Sequence, residues 1–181
     1  MSKKNKNIVF IATSLDGYIA GPNGELDWLN SIPNPEHQNT GFGEVMEEID
    51  ALIMGRVTFE TVCNFGGAWP YNKPVFVLSH SLKEIPKHLQ DKVFLQKGLL
   101  EDVLQQIHQQ GFHTLYIDGG QTVQNFLAAD LIDELRITTL PILLGAGISL
   151  FGSLAQPLAF HHLKTVVYLD QLVQTHYQRQ R

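Results

Sequence analysis

The sequence predicts an α/β protein of three layers, helix on sheet on helix, around a mainly parallel central sheet with antiparallel strands at its C-terminal edge. Three observations predict it. Short apolar runs bounded by polar residues or glycine recur from Asn7 to Gly120, as strands buried on both faces do. Segments with apolar residues at helical spacing fall between them, so crossovers join parallel strands. After Asp130 the strand-like segments follow one another with no helix long enough to separate the last pair, which calls for antiparallel pairing.

Taken in order, "NIVFIATS" reads as the first buried strand and "GFGEVMEEI" as a helix leading into the strand "DALIM". The chain resumes as a helix after Gly55. "KPVFVLS" and "DKVFLQ" are the next strands. In "LLEDVLQQIHQQG", Leu99, Leu100, Val103, Leu104 and Ile107 lie at helical spacing and Gly111 is placed to end the helix. "HTLYIDGG" is another strand, and Val123, Phe126 and Leu127 recur on one face of a helix after Gly120. "DELRITTLPIL", "FHHLKTVVYL" and "QLVQTHYQR" supply the closing strands.

A chain of 181 residues without repeats or composition shifts is expected to form one domain over residues 1–181. Its formal charge of -5 and scattered Lys and Arg leave no basic face for nucleic acid. The single cysteine, Cys63, excludes an internal disulfide and suits a reducing cytoplasm; a buried thiol is the expectation. The basic opening "MSKKNKN" is followed by "IVFIA", too short for the apolar region of a signal peptide. Residues 137–160 carry no charge, but two prolines, three glycines and Gln156 argue against a membrane span. That stretch instead predicts a buried strand, a glycine turn and a packed segment, with apolar surface to spare for a homodimer. His161 and His162 would point to opposite faces of a strand, and His108 and His113 lack acidic or cysteine company, so no metal site is expected. Walker, GxGxxG and GxSxG signatures are absent.

Three strand exits share one composition: Gly55-Arg56-Val57-Thr58, Ser79-His80-Ser81 and Gly119-Gly120-Gln121-Thr122. A helix start offers free N–H groups and partial positive charge, glycine admits an oxygen closely, and hydroxyls add donors. Arg56 adds a forked, always protonated donor. Each signal alone also fits a plain turn, a helix cap or a solvated charge; together they point to a ligand with several phosphates. "SLDGYIAGPNGELDWL", with Asp16-Gly17 and Trp28, is either a loop that closes over a reacting ligand or a hairpin-like turn with Trp28 as a core anchor. Asp16 is the candidate catalytic or substrate-orienting carboxylate, with a turn role as the alternative.

The ordered set "IATSLDGYIAGPNGELDWL", "ALIMGRVTFE", "KPVFVLS", "LYIDGGQTV" and "LIDELRITTLPILLGAGISLF" resembles the dihydrofolate reductase superfamily. It is most similar to the branch holding the reductase domain of bifunctional riboflavin-biosynthesis proteins, the RibD C-terminal type. The resemblance spans nearly the whole chain. It implies an NADPH-dependent oxidoreductase that passes hydride to a small pyrimidine- or pterin-like heterocycle, as 5-amino-6-(5-phosphoribosylamino)uracil reductase and dihydrofolate reductase do. Position by position, it implies that Gly55, Arg56, Val57 and Thr58 meet the dinucleotide phosphates. Leu78, Ser79 and His80 fall at the adenosine 2'-phosphate, and Gly119, Gly120, Gln121, Thr122 and Val123 at the pyrophosphate. Ala12, Ile19 and Ala20 would flank the nicotinamide, with Asp16 and Trp28 bordering the substrate. The peptide between the paired glycines is often cis in this family. The sequence also departs from the pattern. The acid that holds folate is missing, with Asn39 nearest and Glu44 a turn too late, and Tyr18 stands where the riboflavin branch tends to have a basic residue. A non-catalytic nucleotide or metabolite binder on the same fold is therefore the second reading.

Overall fold

The computed structural model describes residues 4–181. Its elements run β1 (Lys6–Thr13), β2 (Tyr18–Ala20), α1 (Phe42–Glu48), β3 (Ala51–Gly55), α2 (Arg56–Asn64), β4 (Val75–Leu78) and β5 (Val93–Gln96). They continue with α3 (Leu100–Gln109), β6 (Thr114–Asp118), α4 (Gly120–Ala128), β7 (Glu134–Thr139), β8 (Ile148–Ser149), β9 (Phe160–Tyr168) and β10 (Leu172–Arg179). Eight strands form one sheet in the order β5-β4-β3-β6-β1-β7-β10-β9, and β2 pairs with β8 as a separate ribbon. The strands β5 through β7 in that order are parallel, and β10 enters antiparallel between β7 and β9. The expected α/β architecture, with its antiparallel C-terminal edge, is what the chain adopts.

Two apolar clusters account for the three layers. On one face, Val103, Leu104 and Ile107 of α3 and Val123, Phe126 and Leu127 of α4 pack on Val9, Ile53, Leu115 and Ile117. On the other, Val45, Met46 and Ile49 at α1 and Phe59 of α2 pack on Ile8, Leu52, Met54 and Tyr116. Alternate residues of a strand point to opposite faces, so each central strand feeds both clusters. Burial of this kind contributes roughly 25 cal/mol per Å² of apolar surface removed from water. The helix over α3 ends as expected: Gly111 adopts φ 92°, a conformation that costs glycine little.

Past Phe10 the sheet changes chemistry. Along the α1 face, β7 presents Glu134, Arg136 and Thr138 beside Ile8, Phe10 and Ala12, and β10 presents His176 and Gln174 beside Arg136 and Thr138. These five polar side chains are buried. Arg136 Nε donates to Glu134 at 2.5 Å and its Nη2 to Glu48 of α1 at 2.5 Å, while Lys6 pairs with both carboxylates at 2.5–2.9 Å. Gln174 Nε2 donates to the Thr40 carbonyl at 3.0 Å and to Thr138 Oγ1 at 2.9 Å. α1 is thus pinned to the sheet by apolar contacts on one side and by ion pairs and amide hydrogen bonds on the other.

Two expectations need correcting. Cys63 is exposed, because it lies on the outward side of α2 near that helix's end. The segment after β7 is less packed than its apolarity suggests. Leu140 and Leu150 are buried, but Leu143 is 70% exposed and Phe151 and Leu154 also face outward.

Candidate functional site

The exits of β4, β3 and β6 are neighbours, since the three strands are adjacent and parallel. Leu78 is in register with Gly55, and Met54 with Asp118. Arg56, Ser79 and Gly120 therefore follow directly from three consecutive strand ends along one sheet edge. α2 and α4 both start there, each with unpaired N–H groups in its first turn; the first bond of α4 runs from Val123 N to Gly119 O at 2.9 Å. Close side chains, and at Gly119 a positive φ, favour glycine at this corner. A Cβ on Gly119, which sits at φ 90°, would overlap Thr58 Oγ1. One on Gly120 would lie 2.7 Å from Ile19 Cδ1, and one on Gly55 2.9 Å from Thr122 Oγ1. The structure thus brings Gly55, Thr58, Gly119, Gly120, Thr122 and Ile19 together.

The remaining expected residues take different positions around that corner. Arg56 reaches Glu60, one turn on, with Nη1 3.0 Å from both carboxylate oxygens, on an exposed surface. Val57 is 65% exposed and can offer a ligand only its backbone N–H, whereas Val123 is fully buried and its N–H is taken by the Gly119 carbonyl. Gln121 bonds to Asn125 at 3.0 Å. Leu78 is half-buried against the core. Ser79 Oγ accepts N–H bonds from Ser81 and Leu82 at 3.2 and 2.9 Å, which keeps Ser79 and His80 in a tight turn at the β4 exit. All peptides are trans among the described residues, that between Gly119 and Gly120 included.

At the end of β1, Asp16 acts on backbone. Its carboxylate accepts the Ser14 hydroxyl at 2.6 Å and the Leu144 and Gly145 N–H at 3.1 and 2.7 Å. The Ser14 hydroxyl, and after it the Gly145 and Leu144 N–H groups, hold its carboxyl below the ordinary carboxylate range. Asp16 thereby ties the first loop to residues 144–145, just ahead of the β2–β8 ribbon that carries Ile19 and Ala20. Trp28 is buried with Leu140 and Leu172, and Ala12 packs on the same cluster. The Trp28 indole N–H is buried and has no acceptor among the described residues.

Sequence reasoning missed Asp118. It is the last residue of β6, directly before the glycine pair, and the only available signal was an acid at a strand exit within "IDGG". Burial pushes its carboxyl up to about 6, against the pull of the Gly119 N–H and the neighbouring Tyr116 hydroxyl. The Gly119 N–H lies 2.8 Å from Oδ1. Tyr116 has a single proton, and it goes to the Phe10 carbonyl at 2.8 Å. Aromatic rings continue outward on both sides: Phe42 and Tyr116 each pack on Phe10, at 6.2 and 6.4 Å, and Tyr71 packs on Trp69 at 5.3 Å. Phe42 is 40% exposed, so this aromatic arc reaches the surface at the start of α1.

On the other side of α1 lies a groove of about 400 Å³ bordered by Glu44, Glu48, Arg136, Lys164, Gln174 and His176. Since Gln174 spends both amide protons on Thr40 and Thr138, its oxygen must accept, and His176 Nε2 donates to it at 2.8 Å. Burial, with Arg136 and Lys164 beside it, pushes the His176 imidazole down to about 4, so it is neutral at pH 7. A larger cavity of about 570 Å³, lined by Asn5, His108 and His113, is at the opposite, amino-terminal end of the strands. Among the described residues no three His, Cys, Asp or Glu side chains are grouped to hold a metal ion, and no helix is long and apolar enough to cross a membrane.

The sequence profile of the RibD C-terminal domain matches residues 5–173. The chain is 32% identical over 179 residues to the uncharacterized protein YwjB of Bacillus subtilis (strain 168), covering 97% of this chain and 99% of YwjB. It superposes with a TM-score of 0.95 and 56% identity on the crystal structure of a protein from Shewanella sp. PV-4 that bears a provisional riboflavin-biosynthesis name, covering 97% and 99% of the two chains. At 19% identity and a TM-score of 0.66 it shares the fold of an Enterococcus faecalis dihydrofolate reductase complexed with NADP(H), over 97% of each chain.

Proposed function

The chain belongs to the RibD C-terminal domain family, a reductase-like family with the dihydrofolate reductase fold, and on that premise we propose that it reduces a small, flat heterocycle with NADPH. The observation that carries this reading is the glycine corner. Two helix starts and three strand exits converge where a Cβ on Gly119, Gly120 or Gly55 would collide with Thr58, Ile19 or Thr122. Such a corner sets first-turn N–H groups beside the Thr58 and Thr122 hydroxyls, which suits phosphate oxygens.

The donor set fits the cofactor. The first-turn N–H groups of α4 and Thr58 would hold the pyrophosphate, and Arg56 with Ser79 and His80 would meet the 2'-phosphate once Arg56 turns from Glu60. Ile19 and Ala12 would bound the nicotinamide. When bound, the cofactor supplies a hydride to a carbon of the acceptor. The chain's own residues position that carbon and handle the proton. In its protonated form Asp118 gives a proton to the ring nitrogen or carbonyl oxygen that gains the electron pair, and it recovers one from water afterwards. Asp16 keeps the loop at residues 144–145 closed against the ribbon. We also propose a cytoplasmic homodimer, built through the exposed apolar residues Leu143, Phe151 and Leu154; sedimentation of L143E/F151E as a monomer beside a dimeric parent would test it.

The reading is tested by titrating the protein with NADPH and NADH side by side. NADPH is expected to bind at least tenfold more tightly, and R56A is expected to remove most of that difference while leaving NADH unchanged. Equal affinities for both nucleotides, or none, would overturn it. NADPH binding without oxidation by any of a broad panel of heterocycles would favour the non-catalytic binder instead.

A further inference from the structure

We propose that the groove between α1 and the β9–β10 edge is a second binding site, one that takes a free aliphatic α-amino acid in its zwitterionic form. This site stands apart from the reductase reading, because the groove shares no lining residue with the glycine corner. Arg136, His176 and Lys164 form one row across three adjacent strands. His176 of β10 is in register with Arg136 of β7 on one side and with Lys164 of β9 on the other. Opposed residues of antiparallel strands stand about 4.5–5.5 Å apart at Cα and point to one face, so the three side chains meet in one space. That space is about 400 Å³ and is also bordered by Glu44 and Leu163. It falls within the range of small-molecule sites.

The groove holds polar atoms that the fold leaves unpaired. Arg136 donates through Nε and Nη2 to Glu134 and Glu48, but its Nη1 has no acceptor among the described residues and is not sealed from solvent. Lys164 has no ion-pair or hydrogen-bond partner among the described residues. These two cations are donors for a carboxylate. Acceptors for an ammonium group lie beside them. Gln174 spends both amide protons on Thr40 and Thr138, so His176 gives its Nε2 proton to the Gln174 oxygen. The Nδ1 of that neutral ring is left with a lone pair that no described donor meets. On α1, Glu44 receives Asn39 Nδ2 on Oε2 at 2.9 Å, and its Oε1 has no donor among the described residues. Charge agrees with this pattern. Lys6, Arg136 and Lys164 offset Glu44, Glu48 and Glu134, so a ligand of zero net charge keeps the balance that a lone anion or cation would upset. Leu163 offers apolar surface to an aliphatic side chain.

The probe is L-leucine, titrated into the protein by calorimetry beside 4-methylpentanoate, which lacks the ammonium group, and isopentylamine, which lacks the carboxylate. Leucine is expected to bind, and each truncated probe to bind at least about tenfold more weakly, the effect of losing hydrogen bonds to charged groups. K164M and E44Q change exposed side chains and are expected to keep the circular dichroism of the parent. Each is expected to weaken leucine about tenfold, K164M through the carboxylate and E44Q through the ammonium group. No binding of leucine, a truncated probe that matches it, or an unchanged leucine affinity in either variant would overturn the site.

Discussion

The two sides of α1 bury acids in opposite ways. On the α2 side, Asp118 lies near the Tyr116 and Tyr71 phenols with no cationic partner among the described residues, and burial raises its carboxyl to about 6. On the β10 side, burial would likewise raise Glu134, but Arg136 and Lys6 outweigh it and leave the carboxyl below its ordinary range. The same sheet face thus holds one acid poised to exchange a proton near neutrality and one locked as an anion. What separates them is the counterions, Arg136 and Lys6, that Glu134 has and Asp118 lacks among the described residues. A buried charge with a well-placed counterion is structural, whereas a buried acid without one is a proton donor in waiting.

The contrast is broken most visibly at Arg136. R136M leaves Glu134 buried with only Lys6 nearby, and urea unfolding at pH 7 is expected to show a loss of about 3–5 kcal/mol. The loss should shrink towards pH 4. Glu134 keeps its proton longer once its folded pKa is no longer depressed, so acid relieves the variant while it removes stability from the parent.

Asp118 should respond with the opposite sign. Between pH 3.8 and about 6 the native state holds a proton that the unfolded state has lost, so stability falls as pH rises, and it levels off above 6. D118N removes this penalty and is expected to add about 3 kcal/mol at pH 8, with the gain vanishing near pH 4. Its reductase turnover is expected to fall about 100-fold, and the parent's decline in kcat/KM above about pH 6 should disappear with it. A destabilised D118N would equate the two sides of α1 and sink the distinction.

A smaller effect sharpens the contrast on the ribbon side. D16N keeps the Ser14 contact but weakens the hold on the Leu144 and Gly145 N–H groups. Amide exchange at residues 144–145 should accelerate several-fold, with little change in global stability, because the carboxylate is at the surface.

Much of this was legible in the sequence because it is local. Strands such as "NIVFIATS" and "HTLYIDGG" announce themselves by short apolar runs, and the exits by glycine and hydroxyl residues. Parallel order then follows from the intervening helices, so Arg56, Ser79 and Gly120 were bound to share an edge once β4, β3 and β6 became neighbours. Asp118 was not legible as an acid of special character, since Tyr116 of its own strand is only part of its environment and Tyr71 reaches it from the segment between α2 and β4. The Glu48–Arg136 pair, 88 residues apart in the chain, was hidden for the same reason. Asp16 and Trp28 were visible as candidates, but one residue cannot show whether a carboxylate faces a ligand or a backbone turn. Cys63 failed because a cysteine's usual burial does not say which side of a helix it occupies.

The glycine corner carries the whole functional account, and calorimetric titration of NADPH into the parent and into G120V tests it most directly. A valine at that position would press on Ile19 and fill the space at the start of α4 without touching the buried ion pairs. The account predicts tight binding to the parent and a loss of more than tenfold in a variant whose circular dichroism is unchanged. Equal heats for the two proteins, or none with the parent, would contradict it.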